Sequence, residues 1–218
     1  MRRVLLTLLA LFVIALVGAF TVLPRWVDHD LNRVIAGPPL DISPAAAQLH
    51  ARLRIGDMHD DLLLWSLRDP VEQHTRGHTD VPRLLAGNVT LQVFSTVSKT
   101  PKNQNYESNT GDTDNITLLA ITQRWPIAAW ASLFERARRT ARALDDAAAR
   151  SDGALRVVRT RAELEDGLAA RQNGERVLLG VLSLEGLQVA EGRLENVDSL
   201  YALGFRMAGL THFFDNEL

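Results

Sequence analysis

Cysteine is absent from the 218 residues. No disulfide framework and no thiolate metal site can therefore exist, and a bound metal has only imidazole and carboxylate to hold it. Excess positive charge is lacking as well. The formal net charge is −2 and the isoelectric point lies near 6.3, so nothing electrostatic favours a nucleic-acid partner. Internal repeats and low-complexity tracts are also missing. What remains is 46% hydrophobic and 23% charged, the profile of a globular chain rather than a disordered one.

The first forty or so residues do not read as part of a folded domain. Arg2 and Arg3 precede an uncharged, mostly apolar run from Val4 to Leu23. At about 1.5 Å per residue that run spans about 30 Å, the thickness of a bilayer's hydrocarbon core. Pro24, Arg25 and Trp26 are expected to close it with a helix stop, a charge and an interfacial aromatic. A cleaved signal peptide is the competing reading, with Val17 and Ala19 suited to the positions before a cut. The length of the run favours a retained single-pass anchor (residues 1–23). Under the positive-inside bias both readings export the rest of the chain, to the extracytoplasmic, periplasmic side. Residues 24–50 are expected to form a juxtamembrane linker, broken at its centre by Gly37-Pro38-Pro39.

Beyond the linker, strands and helices alternate. Strands are expected at Leu53–Asp61, Val89–Thr96, Leu155–Arg159, Val177–Leu184 and Phe205–Thr211. Asp80 is the N-cap of a short helix ended by Gly87, and Thr160 with Glu163 forms a capping box for a helix to Gln172. Ser98–Asp114 reads as a long polar excursion. Ile116–Arg150 reads as helix, kinked or divided at Pro126, and Asn196–Leu203 as a short helix closed by Gly204. This alternation predicts an α/β fold with a parallel sheet, either open or closed into a barrel.

Three expected strands end in groups that carry chemistry. In Asp57-Met58-His59-Asp60-Asp61, the period of two puts His59 and Asp61 on one face and Asp60 on the other. The spacing therefore selects Asp61 as the carboxylate that converges on a metal with His59. Asp57 lies one step deeper on that face, placed to orient His59. Glu185 follows a fully apolar strand, where a carboxylate is costly unless paired or metal-bound, and its two oxygens can bridge two cations. His212 ends the last strand and could be a ligand, a proton-transfer group or a polariser of a carbonyl. Ligands and catalysts of βα-barrels collect at the C-terminal ends of strands, and three separate strands deliver them there.

Other motifs invite a functional reading and fail it. His78-Thr79-Asp80 repeats the His-x-Asp pattern, but Asp80 is better explained as a cap. Glu191-Gly192 lacks a preceding strand. His74 and His78 are expected in solvent, and His29 and His50 lie near the linker. Asn88-Val89-Thr90 and Asn115-Ile116-Thr117 match glycosylation sequons, which are short patterns that often arise by chance.

Taken together, His59-Asp60-Asp61 after an apolar strand, Ser183-Leu184-Glu185-Gly186, and Gly204-Phe205-Arg206 leading to Leu210-Thr211-His212 resemble the membrane (renal-type) dipeptidases. Asp80 to Leu85 followed by Gly87-Asn88-Val89 resembles that family's second βα segment. The anchor, the linker and Phe213-Phe214-Asp215-Asn216 look like a bacterial branch of it. The likeness runs from about Arg54 to Leu218. It implies a binuclear zinc dipeptidase on a TIM-like βα-barrel, residues 51–218 being the N-terminal part of that barrel. His59 and Asp61 would bind one zinc, Glu185 would bridge both, and His212 would contact the substrate and polarise the scissile carbonyl. Asp60 and Gln188 depart from the family's usual residues without removing a ligand. Two further zinc-binding histidines and a substrate-clamping arginine of the family lie beyond the point matching Leu218.

The expected activity is hydrolysis of the peptide bond of dipeptides. The expected partners are the dipeptide substrate, the membrane and a second copy of the chain in a homodimer. A metal-dependent amidohydrolase acting on cyclic amides or lactams is the alternative enzyme, though a His-x-His first strand would have suited it better. An inactive, membrane-anchored binding module is the alternative from another class.

Overall fold

A computed structural model describes residues 1–216, so the last two residues of the expected 51–218 unit lie outside the described part. The apolar run forms helix α1 (Arg2–Leu31), which continues for two turns beyond the expected stop at Pro24. Proline has no N–H to give to the carbonyl four residues earlier, and its ring crowds that carbonyl. Here the carbonyl of Phe20 is taken up instead by the Arg124 guanidinium, whose Nε donates to it at 2.8 Å. Neighbouring polar groups that re-satisfy freed carbonyls are what make proline tolerable inside such helices. Past Pro24 the helix is held by tertiary contacts. Pro24, Asp28 and Asn32, four residues apart and so on one face, are buried. Asp28 Oδ1 accepts from Arg68 Nε at 3.1 Å, and Arg76 Nη2 lies 3.0 Å from Asp28 Oδ2. The first part of the expected linker is thus helix docked on the body of the protein.

A second helix interrupts the linker near its end. Ser43 caps α2 (Pro44–Arg52), with proline at the first helical position, where its missing N–H costs nothing. The chain then enters β1 (Ile55–Asp60), α3 (Val81–Ala86) and β2 (Val89–Thr96). Asp80 caps α3 as expected, accepting from Arg83 N at 2.8 Å. The expected long helix is three. Pro126 separates α4 (Ile116–Thr122) from α5 (Ala128–Ala131), and Ser132 caps a new start for α6 (Leu133–Arg150). Arg136, fully buried on α6, holds this arrangement. It donates to the carbonyls of Ala129 and Trp130, to Ser98 O, to Thr117 Oγ1 and to Asp114 Oδ2.

After β3 (Leu155–Val157), the Thr160–Glu163 capping box opens α7 (Arg161–Gln172) with both of its hydrogen bonds present. Then follow β4 (Leu178–Leu184), α8 (Leu194–Ala202) and β5 (Phe205–Ala208). The last strand is shorter than expected, because Gly209 turns away: its N–H donates back to Leu184 O at 3.0 Å.

All pairings between these strands are parallel, in the order β1-β2-β4-β3, with β5 on β4 as well. β3 pairs with the first half of β4, at Leu178–Gly180, and β5 with the second half, at Leu182–Leu184. Both faces are covered, which explains why β4 reads as almost purely apolar. Leu178, Leu182 and Leu184 pack with Phe94 and the Ala137, Ala141, Leu144 stripe of α6, whereas Leu179 packs with Val158, Val177 and Ala170 of α7. Gly167 allows that second contact, since a Cβ there would lie 2.3 Å from a Leu179 methyl group. Among the described residues β1 and β5 each have one neighbour, so the sheet is open.

Candidate metal centre

The C-terminal end of β1 behaves as its period of two demands. His59 faces outward over the sheet end and Asp60 turns in, buried, accepting from Leu62 N at 2.8 Å and from Thr79 Oγ1 at 3.0 Å. Burial raises the Asp60 carboxyl to about 6, against the lowering effect of those hydrogen bonds. Asp61 leaves the strand at the start of the turn Leu62–Leu64 and returns to the His59 side. His59 Nε2 stands 3.4 Å from Asp61 Oδ1 and 2.9 Å from Glu185 Oε1.

Glu185 follows β4, its N–H donating to Thr96 O on β2 at 3.3 Å. The next residue, Gly186, has φ +90°, and a Cβ there would meet Gln188 Oε1 at 1.9 Å. Gln188 is buried and donates to Glu185 O at 2.8 Å and to Ser98 Oγ at 3.0 Å. A glycine that can turn and a buried amide thus fix the backbone that carries Glu185. His212 lies beyond β5, in a bridge with Phe214, and not at a strand end as expected. Its Nδ1 nonetheless comes within 3.4 Å of Glu185 Oε2.

Ligand atoms of His59, Asp61 and Glu185 all lie within 4.8 Å of one another. Asp61 Oδ1, Glu185 Oε1 and His212 Nδ1 are buried and make no hydrogen bond. His59, Asp61 and Glu185 thus bring ligand atoms close together, with acceptor oxygens that no proton donor satisfies. Such groups are costly unless a cation collects them. The electrostatics agree. Burial, together with the Asp61 charge, pushes Glu185 up to about 7, and His59 only partly offsets this. Burial and the nearby His59 lower His212, which favours its neutral form. A nitrogen and two carboxylates form a hard, oxygen-rich set that fits a divalent ion such as zinc.

The structure places the four candidate residues His59, Asp61, Glu185 and His212 side by side. The sequence reading misses the group that holds the imidazole. Asp57 accepts from the backbone N–H of His59 at 3.1 Å, not from its ring. The ring Nδ1 faces Ser95 Oγ at 3.3 Å. Ser95 sits on β2 beside Ser183 of β4, and only the strand register reveals that neighbourhood. The decoys resolve as well. Asp80 is fully engaged as a cap, while His74, expected in solvent, is half-buried with Nε2 2.9 Å from Asp69 O. The same four residues line a cleft of about 440 Å³ with Thr100 and Asn103 of the polar excursion and with Val97 and Asn115, which flank it. That volume falls in the range of roughly 300–1,000 Å³ typical of small-molecule sites.

The sequence pattern of the membrane dipeptidases (Peptidase family M19) matches residues 44–218. The chain belongs to that family. Among solved structures, it is similar to a dipeptidase AC, a metallopeptidase of family M19, at 21% identity and TM-score 0.47, covering 73% of this chain and 43% of that one. It is likewise similar to a metallopeptidase from Rhodobacter sphaeroides liganded with a phosphinate mimic of the dipeptide L-Ala-D-Ala, at 21% identity and TM-score 0.49, covering 75% and 47%. The chain thus spans less than half the length of either. No match is found among curated proteins. His59, Asp61, Glu185 and His212 all fall inside the matched segment.

Proposed function

We propose that this membrane dipeptidase family member is the N-terminal part of a zinc-dependent enzyme that hydrolyses dipeptides at the cleft formed by His59, Asp61, Glu185 and His212. One observation carries the reading: an imidazole and two carboxylates at the ends of β1 and β4 bring their ligand atoms within 4.8 Å of one another. His59 and Asp61 would hold one ion, and Glu185 would offer its second oxygen to another. Closure of the open sheet into a TIM-like barrel would set these residues at its mouth. When bound, a divalent ion supplies Lewis acidity and lowers the pKa of water.

The chain's own residues do the rest. Without an ion, burial and the Asp61 charge push Glu185 up to about 7, so the cleft favours a cation that neutralises the two carboxylates. His212, kept neutral, can donate a hydrogen bond to the substrate carbonyl as charge develops on its oxygen. Asn103, Asn115 and Thr100 offer polar contacts to the substrate backbone. The exposed apolar helix α1, long enough to cross a bilayer, would anchor the protein, with the cleft on the extracytoplasmic side.

Metal content by mass spectrometry, with turnover of dipeptides followed by chromatography, tests this. Stoichiometric zinc is expected in the wild type and none in His59→Ala or Glu185→Ala. Unchanged zinc in both variants would overturn the assignment.

A further inference from the structure

From Ile116 to Ala131 the chain has one charged residue, Arg124. The inner side of this stretch is a small core of Ile116, Ala120, Trp125 and Ala129. Its outer side is apolar too. Leu118 is 67% exposed and Ile127 76%, with Pro126, Ala128 and Ala131 exposed beside them. Nothing in the packing of the domain calls for those side chains.

The neighbouring helix says what covers them. Arg124, between α4 and α5, donates to the Phe20 carbonyl, and Phe20 lies within the apolar run that ends at Leu23. Phe20 is three residues from that end, about 4.5 Å along the axis. Any bilayer that α1 spans up to Leu23 therefore reaches the level of Arg124. A guanidinium suits that level, beside lipid phosphates, and the exposed Trp26 marks the same boundary from α1.

We infer that the outer face of α4 and α5, through Leu118, Pro126, Ile127 and Ala128, rests in the interfacial layer of the bilayer that α1 crosses. The inference rests on the anchor reading proposed above. The domain is then clamped to the membrane at two points, by the Arg124–Phe20 contact and by the buried Asp28–Arg68 pair, and does not swing on a tether. Asn115, which lines the cleft, directly precedes α4, whose Leu118 belongs to this face.

The absence of cysteine permits clean single-site labelling. An environment-sensitive fluorophore is placed on Leu118→Cys, Ile127→Cys, Val22→Cys in the apolar run, and Arg161→Cys on α7. The full chain is then reconstituted in phosphatidylcholine–phosphatidylglycerol vesicles. Blue-shifted emission and quenching by headgroup-proximal spin-labelled lipid are expected at 118 and 127, strong quenching by acyl-chain spin labels at 22, and neither at 161. If 22 is quenched while 118 and 127 match 161, the membrane-facing surface is refuted and the anchor stands. If 22 is also unquenched and the chain fails to float with vesicles, the anchor itself is refuted, and the inference with it.

Discussion

Ser95 Oγ lies 3.3 Å from His59 Nδ1, and this contact decides which ring nitrogen faces the carboxylates. With Nδ1 engaged, Nε2 is left pointing at Glu185 and Asp61. Groups that orient a ligating imidazole in this way typically contribute about 10- to 100-fold to metal affinity. Ser95→Ala is expected to weaken zinc binding by about that factor, with the fold intact by circular dichroism. Titration with a competing chelator measures it, and an unchanged affinity would assign the orientation of His59 to other contacts.

Glu185 makes a second, electrostatic prediction for the metal-free protein. Its carboxyl is raised to about 7 by burial and by Asp61. A raised native pKa means that the folded state binds more protons than the unfolded one, so stability falls as pH rises through about 7. Glu185→Gln removes that penalty. In the presence of chelator the variant is expected to be more stable than the wild type at pH 8, by about 1–2 kcal/mol, and to lose the advantage below about pH 5. Urea unfolding at the two pH values checks the sign.

Gly186 combines a left-handed φ of +90° with a space already filled by Gln188. Gly186→Ala is expected to cost about 1–3 kcal/mol through backbone strain. It should also displace Glu185, so that zinc affinity drops together with thermal stability. Retention of full zinc affinity in a destabilised variant would show that the turn serves folding alone.

At the other end of the domain, Asp28 is fully buried against Arg68, which is itself buried and also donates to Asn32 Oδ1 at 3.0 Å. Asp28→Ala leaves a buried guanidinium without its carboxylate, a change that typically costs about 3–5 kcal/mol. Loss of the pair is expected to free the segment after Pro24, so that limited proteolysis cuts near Asn32 faster than in the wild type. A cleavage rate equal to the wild type would show that α1 is held by other contacts.

Local order is strongly encoded in this chain. The Asp80 cap, the Thr160–Glu163 capping box, strand β2 to the residue and the alternation of His59 and Asp60 all follow from short-range stereochemistry. The candidate ligands are legible for related reasons: a carboxylate after the apolar Leu178–Leu184 is costly without a purpose, and the strand period puts His59 and Asp61 on one face. The continuation of α1 past Pro24 is not legible. It depends on an arginine one hundred and four residues away and on a buried ion pair with Arg68. Ser95 beside His59, Gln188 behind Glu185 and the early end of β5 are hidden likewise, because register and crossing chains create those contacts. Periodicity and turn chemistry act within a few residues, so the sequence alone determined which elements form and which faces they offer. Which side chains meet was decided by tertiary packing, where burial and long-range hydrogen bonds outweigh local preference.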